Sequence, residues 1–194
     1  MFATVECEAT IFGFTNLRLD VASGIPLVLA LPGADHVLAF LPSGRWALLS
    51  HIERDDAIRH FNDAALPAPG VVITAPASDQ DARERSDASD EVSASAQAPI
   101  PLFDSGHYVS AVAELGTDAA FSLAFADSPD GVAAARSAGL QVIGVAAVRD
   151  PDELGDADLV IPSLLSVRVL GVHPFIVMEV DAIPDLGTGS ARRR

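Results

Sequence analysis

Lysine is absent from this sequence, and all twelve of its basic residues are arginines. Mechanisms that depend on a lysine amine, either as a Schiff-base nucleophile or as a clamp on a phosphate group, are therefore excluded. Cysteine is nearly absent too: Cys7 is the single one, so neither a disulfide within the chain nor a thiolate zinc site can form. The five histidines are scattered without the spacing of metal ligands.

Positive charge is scarce overall, since the formal net charge is −15 at pH 7. Nucleic-acid binding needs clustered Lys or Arg to neutralise phosphates, so we expect no nucleic-acid partner. No apolar run approaches the roughly 20 residues that a membrane-spanning helix requires. The opening stretch MFATVECEAT lacks the basic and apolar regions of a signal peptide. We therefore expect a cytoplasmic location and no membrane partner.

The apolar pattern predicts alternating strands and helices. A length of 194 residues with 49% hydrophobic content suits one domain, which we place at residues 1–185. Short apolar runs predict strands at 9–14, 46–50, 71–74, 122–126, 141–145 and 158–161, and helices are predicted at 34–41, 54–65, 106–115 and 129–138. This order is typical of an α/β, Rossmann-like three-layer sandwich, a mostly parallel sheet with helices on both faces. A last run at 175–180 is interpreted as an added edge strand.

Two segments depart from this pattern. Residues 76–99, PASDQDARERSDASDEVSASAQAP, are rich in Ser, Asp, Ala and Glu, and Val92 is their only large aliphatic residue. Such a stretch cannot bury enough surface to offset its ordering entropy, so we predict a disordered acidic loop. Its interpretation as an interaction or phosphoregulated segment stays open beside that of a solvated insertion. Residues 186–194 are predicted to be a disordered tail.

One stretch, FADSPDGVAAARSAGLQVIGV at 125–145, carries both a well-marked helix and a candidate site residue. Ser128 is the expected N-cap of the helix, Pro129 its first residue and Gly139 its stop. Asp127 falls at the carboxyl end of the strand before it. Open α/β sheets place their chemistry at that end of the strands, so Asp127 is a candidate functional residue.

Three stretches of the chain resemble segments of one phosphatase superfamily. LPSGRWALLSHIERDDAIRHFNDAALPAPGVVITA resembles its second strand, the helix after it and its third strand. FADSPDGVAAARSAGLQVIGV is similar to a segment EDSPAGVxAAxAAGMxVIGV, and DELGDADLVIPSL to the sequel xxLxxADxVIxSL. These residues resemble the haloacid dehalogenase superfamily, in particular its sugar-phosphatase and β-phosphoglucomutase-like branch, over most of 8–168. The resemblance implies a Rossmann-like core and Mg²⁺-dependent phosphoryl transfer.

In that superfamily the first strand ends in Asp-x-Asp-Gly-Thr, whose first aspartate attacks phosphorus and whose second exchanges protons. The matching text is CEATIFGFTNLRLD, which places Gly13 at the nucleophile and Thr15 at the acid/base. Glycine has no side chain to react, and a threonine hydroxyl does not exchange protons near neutral pH. A second register, ECEAT, would restore two carboxylates with Glu6 and Glu8, but it limits the strand to 2–5. We interpret these glutamates as solvated residues that precede the strand.

The second and third motifs of the superfamily supply groups that contact the phosphoryl group. Ser50 matches the hydroxyl residue that ends the second strand, and this role stands beside that of a serine satisfying a backbone group. The lysine of the third motif aligns with Leu102, and no shift of register can restore it in a chain without lysine. Arg83 or Arg85 could supply that charge only if the acidic loop orders.

The fourth motif is a pair of acidic residues that holds Mg²⁺. Asp127 is retained here, but Ala126 replaces its acidic neighbour. Mg²⁺ requires octahedral oxygen ligation and loses its bound water reluctantly, so a single carboxylate near the surface should bind the ion only weakly. We therefore expect Asp127 to be a weak, vestigial ligand and no cofactor to bind, with Mg²⁺ present only alongside residual activity. Asp127 and Asp130 could instead stabilise the helix through the favourable interaction of their carboxylates with its positively charged N-terminal end.

The superfamily's usual cap domain has no room in this chain, since only 21–31 separate the elements that flank it. The sequence therefore predicts a capless pseudo-phosphatase that acts as a binding or structural module. The alternative is a weak Mg²⁺-dependent phosphatase or hydrolase on small phosphorylated metabolites such as sugar phosphates. That enzyme would be built from Asp127, Ser50 and Asp20, with Glu6 and Glu8 as further carboxylates.

Two kinds of partner are compatible with this prediction. A small anionic ligand could sit at a helix start near Ser50, His51 or Ser128, where backbone N–H groups survive the loss of the acids. A second copy of the chain could cover the uncapped crevice, which would make a homodimer.

Overall fold

The computed structural model describes residues 1–13, 32–50, 53–63, 65–74, 103–147, 149–184 and 186–187. Its strands are β1 (Phe2–Cys7), β2 (Ala9–Gly13), β3 (Trp46–Ser50), β4 (Val71–Thr74), β5 (Ser122–Ala126), β6 (Gln141–Val145), β7 (Leu159–Ile161), β8 (Val167–Gly171) and β9 (Ile176–Asp181). Six of them form a parallel sheet in the order β4–β3–β2–β5–β6–β7. The α/β fold class is thereby confirmed, as is the central place of β2 between β3 and β5.

Strand β2 is buried along its length because both faces of the main sheet are covered. Phe12 stacks on Phe125 of β5, with ring centroids 5.0 Å apart and ring planes 4° from parallel. It also meets the ring of Trp46 edge to face at 5.8 Å. Phe12 is buried, which agrees with the alignment that places Gly13 at the end of the first strand. An exposed Phe12 would have contradicted that alignment.

Four helices lie in the described ranges: α1 (Ala34–Leu38), α2 (Arg54–Asp63), α3 (Ser105–Leu115) and α4 (Pro129–Ser137). Each falls on a predicted helix and differs from it only at the ends. Helix α1 ends before the predicted residue 41, because the N–H groups of Phe40 and Leu41 donate to carbonyls three residues back and tighten the last turn. The predicted caps of α4 are confirmed: Ser128 Oγ accepts the Gly131 N–H at 3.1 Å, and Gly139 has φ +86°.

The structure contains a second sheet that the sequence pattern did not predict. Strands β1, β9 and β8 form an antiparallel sheet in that order, with Phe2 paired to Asp181 and Cys7 paired to Ile176. The prediction of an edge strand at 175–180 is wrong, because β9 is the middle strand of this separate sheet. Its two partners come from the start of the chain and from the segment after β7, so no local pattern reveals the pairing.

Two apolar clusters pack on the two faces of the main sheet. On one face, Tyr108 of α3 and Val132 of α4 cluster with Ile11 of β2. On the other face, the cluster combines Phe61 of α2 with Met178 of β9 and with residues of α1. Helices on both faces are confirmed, and the second sheet shares one of those faces with α1 and α2.

Several predicted segments lie outside the described residues, namely the acidic loop at 76–99, the segment 21–31 and residues 188–194 of the tail. Leu186 packs partly buried against the α3 and α4 cluster, and a Cβ on Gly187 would come within 2.8 Å of the Asp158 carbonyl oxygen. The chain therefore contacts the region around β7 at least as far as Gly187. Of the helices in the described ranges, none has the length and apolar character needed to cross a membrane.

Candidate functional site

The carboxyl ends of β2, β3 and β5 bring three predicted site residues to one edge of the main sheet. Gly13 ends β2 and pairs with Ala126, which Asp127 follows directly. Ser50 ends the neighbouring strand β3. Ser50 and Asp127 are both buried. Four other predicted site residues lie outside the described part of the chain, namely Thr15, Asp20, His51 and Leu102.

Asp127 and Ser128 form the whole connection between β5 and α4. Ser128 turns its hydroxyl back to cap the helix, and Asp130 lies in the first turn of α4 and is exposed. Asp127 is 1% exposed, so the expectation of a carboxylate near the surface is wrong. The connection is too short to carry Asp127 away from the buried end of β5, which is why the carboxylate lies inside.

The space above Gly13 is filled by the phenol of Tyr108, a residue of α3. A Cβ placed on Gly13 would lie 2.5 Å from Tyr108 Oη and 3.3 Å from Cζ. Real Cβ atoms essentially never approach another heavy atom closer than 3.0 Å, so no side chain fits on residue 13 while the phenol stays in place. The same Oη reaches the first turn of α4, where a Cβ on Gly131 would lie 3.6 Å from it. Tyr108 therefore occupies the position where a nucleophilic side chain would begin.

The Tyr108 hydroxyl is an isolated polar group. Tyr108 is fully buried, and its hydroxyl has no hydrogen-bond partner among the residues that the structure describes. Burial raises the pKa of Tyr108, and the negative charge of Asp127 raises that pKa further. The phenol consequently stays protonated well above neutral pH.

Helix α3 holds Tyr108 in this place. The helix begins with a capping box, in which the Asp104 carboxylate accepts the His107 N–H and His107 Nδ1 accepts the Asp104 N–H, both at 3.2 Å. The hydrogen bond from the His107 N–H is the main cause of the lowered pKa of Asp104. Tyr108, Ala111 and Val112 follow the spacing of one helix face, and all three are buried. The cap and this buried face together direct Tyr108 toward the end of β2.

The described part of the site does not supply the donors that Mg²⁺ needs. The ion requires near-octahedral oxygen ligation, usually with one or two carboxylates. Gly13 and Ala126 have no oxygen in their side chains, and the described ranges contain no group of three or more His, Cys, Asp or Glu placed to hold a metal. Asp127 by itself does not fit the ion, and no chemical step is assigned to Mg²⁺.

Glu6 and Glu8 lie at the opposite end of β2 from Asp127. Glu6 is exposed within β1, where it pairs with Val177, and Glu8 lies between β1 and β2. Since a strand rises ~3.3 Å per residue, Glu8 is roughly 16 Å from Gly13. The expectation of two solvated glutamates is wrong for Glu8, which is half-buried and accepts the Thr117 hydroxyl at 2.9 Å. Neither glutamate reaches the site at Asp127.

Sequence reasoning missed Tyr108 as a residue of this site. In the sequence it marks only the helix YVSAVAELG that follows the position of the missing lysine. Its contact with Gly13 joins residues that are far apart in the chain, and no spacing rule relates them. The available signal was a pair of residue types: a strand that ends in glycine leaves room for a large side chain from the helix packed on it.

No protein-family model matches this chain, and no curated protein matches it. Among solved structures, a β-phosphoglucomutase from Clostridium difficile shares 17% sequence identity over 69% of this chain and 50% of its own, with a TM-score of 0.46. A variant of CbbY from Rhodobacter sphaeroides, in complex with xylulose-1,5-bisphosphate, shares 13% identity over 81% of this chain and 95% of its own, with a TM-score of 0.47. The chain thus spans half the length of the β-phosphoglucomutase, and the likeness to both proteins is one of fold alone.

Proposed function

We propose that this chain is a haloacid-dehalogenase-like protein of the sugar-phosphatase type that no longer transfers phosphoryl groups and acts as a binding or structural module. The observation that carries the proposal is the Tyr108 phenol in the space above Gly13. The aligned nucleophile has lost its side chain, and the room for one is occupied as well.

Tyr108 does not replace the missing nucleophile. A tyrosine reacts as its phenolate, and burial together with Asp127 raises the pKa of Tyr108. The phenolate is therefore not populated near neutral pH, and the fully buried ring offers no approach to a substrate. Among the described residues at the end of β2, neither Gly13 nor Tyr108 therefore supplies a group that could form a covalent phosphoryl intermediate.

The features that support the fold are kept where the chemistry is lost. Ser128 caps the start of α4, the left-handed Gly139 follows its end, and β2 is buried along its length. This combination is what remains when selection maintains the fold but no longer maintains catalysis. The proposal includes no bound cofactor and, given the net charge of −15, no nucleic-acid partner.

One observation favours a second candidate, a weak Mg²⁺-dependent phosphatase on small phosphorylated metabolites such as sugar phosphates. Asp127 and Ser50 are both retained and buried at the edge where such chemistry would occur. In this alternative, the carboxylate that the first motif lacks would come from outside the described residues.

A phosphate-release assay separates the two candidates. The wild-type chain, Asp127→Asn and the control Asp130→Asn are incubated with a panel of sugar phosphates and Mg²⁺. Asp130 is the matched control because it is an exposed carboxylate three residues further along, in the first turn of α4. We expect no release above the protein-free background from any of the three. Phosphate release by the wild type and by Asp130→Asn, but not by Asp127→Asn, would establish the phosphatase instead.

A further inference from the structure

Strand β1 is an edge of the second sheet, and its outward hydrogen-bonding groups can be identified. Met1 and Ala182 exchange both backbone hydrogen bonds, at 2.6 Å and 2.9 Å. Such doubly bonded pairs alternate along an antiparallel ladder, so the odd-numbered residues of β1 direct their N–H and C=O groups to β9. The N–H and C=O groups of Phe2, Thr4 and Glu6 therefore face the open side, where no strand in the described ranges pairs with them.

Within the described residues, the open side of β1 lacks the usual protection of an edge strand. Edge strands are commonly blunted by Lys, Pro, bulges or a covering element. Strand β1 contains no proline and no basic residue, and its six-residue register with β9 is unbroken. The other edge strand, β8, carries the exposed Arg168 and a register shift between Val169 and Gly171, and α1 packs beside it. Of the two edge strands that the structure describes in this sheet, β1 is the one with an unbroken register.

We propose that β1 pairs edge to edge with β1 of a second copy of this chain, antiparallel about a two-fold axis at Thr4. In this register Thr4 faces the partner's Thr4, and Phe2 faces the partner's Glu6. The pairing joins the two small sheets into one sheet of twice the width.

The hydrogen-bond pattern selects this register. Residues directly opposite each other in an antiparallel pair must present their side chains on the same face. In β1, only the even residues have backbone groups that no strand in the described ranges engages. Centring on Thr4 engages all three even residues of each copy. Centring the axis on Phe2 would engage only one of the three even residues of β1. Centring it on Glu6 would set the two Glu6 carboxylates opposite each other. That register would also extend the pairing to Glu8, whose N–H already donates to the Phe121 carbonyl at 2.7 Å.

A second copy is the occupant that suits this edge best. The edge is self-complementary, because a two-fold axis at Thr4 keeps the single carboxylate, Glu6, away from its own copy and sets it against Phe2. Exposed aromatic surface flanks both ends: Phe2 is 73% exposed, and Phe121, just beyond the last free residue, is 57% exposed. The contact is small, which places the dimer among weak, concentration-dependent associations.

Disulfide trapping tests the register. Thr4→Cys places two thiols opposite each other with Cα atoms ~5.5 Å apart, within the range that a disulfide spans. The native Cys7 is buried and does not compete. Leu170→Cys is the matched control, since Leu170 is 53% exposed on the other edge strand. We expect a disulfide-linked dimer from Thr4→Cys and none from Leu170→Cys under the same mild oxidation. Equal trapping of both, or of neither, would overturn the proposal.

Sedimentation equilibrium provides a second, independent measurement on the full chain. The wild type is expected to dimerise with rising concentration. Thr4→Lys sets two like charges opposite each other, and we expect it to raise the dimer dissociation constant about two- to fivefold, whereas Leu170→Lys leaves it unchanged. A wild type that stays monomeric, or a dimer that Thr4→Lys does not weaken, would refute pairing through β1.

Discussion

The substitution Gly13→Ala tests whether the Tyr108 phenol fills the space at the end of β2. The added Cβ would lie 2.5 Å from Tyr108 Oη, well inside van der Waals contact. Overpacking a buried site costs about 1–3 kcal/mol, and replacing a strand glycine by alanine returns about 0.5–1 kcal/mol of that. We expect Gly13→Ala to lower the free energy of unfolding by about 1–2 kcal/mol.

The same substitution should be nearly harmless in a Tyr108→Phe background. Without the hydroxyl oxygen, the nearest atoms to the new Cβ are the ring Cζ at 3.3 Å and Leu49 Cδ1 at 3.5 Å. Tyr108→Phe by itself should be neutral or stabilising, because a buried hydroxyl without a partner costs about 1–3 kcal/mol. The two substitutions together should therefore show a coupling energy of about 1 kcal/mol or more.

Urea unfolding followed by the fluorescence of Trp46 measures all four proteins of this cycle. Trp46 is the only tryptophan and is fully buried, so its emission reports loss of the core. Gly44→Ala is the matched control, because a Cβ there meets no atom within 4 Å, and it should be close to neutral in both backgrounds. If Gly13→Ala costs the same with and without the hydroxyl, the phenol does not occupy this space.

Three further substitutions test the fold around the site by urea unfolding. Ser128→Ala removes the bond to the Gly131 N–H and should cost about 1 kcal/mol; no loss would mean that the cap does not hold α4. Phe12→Ala empties the stack on Phe125 and should cost about 3–5 kcal/mol, whereas a cost below about 1 kcal/mol would place Phe12 outside the core. Burial raises the pKa of Cys7 from 9.0 to about 12. Above the unfolded value, unfolding releases the thiol proton, so the free energy of unfolding falls by up to about 1.4 kcal/mol per pH unit. Cys7→Ala should remove that part of the slope, and an unchanged slope would contradict it.

The parallel sheet and the caps of α4 could be predicted from sequence because their signals are local. Short apolar runs mark strands covered on both faces, and Ser128 and Gly139 act on backbone groups within a few residues of themselves. The second sheet could not be predicted, since β9 pairs with strands from distant parts of the chain. The pattern of β9, alternately buried and half-buried, fits an edge strand as well as a middle one.

The candidate site divides along the same line. Gly13, Ser50 and Asp127 follow strand ends, and parallel strands bring such ends to one edge of the sheet. Tyr108 reaches that edge from a helix on the sheet's face, and only the packing of α3 determines where its ring lies. The burial of Asp127 was likewise invisible in sequence, because it depends on how short the connection to α4 is.

The most direct test of the loss of phosphoryl transfer is a single-turnover measurement. The wild-type chain is held in molar excess over a radiolabelled sugar phosphate with Mg²⁺, and the label is followed for hours. Even an enzyme too slow for a steady-state assay converts the substrate under these conditions, because a single turnover per protein molecule is enough. We predict that the label stays on the sugar phosphate to the same extent with the wild type as with Asp127→Asn. If the wild type converts the sugar phosphate and Asp127→Asn does not, the proposal that this chain no longer transfers phosphoryl groups is contradicted.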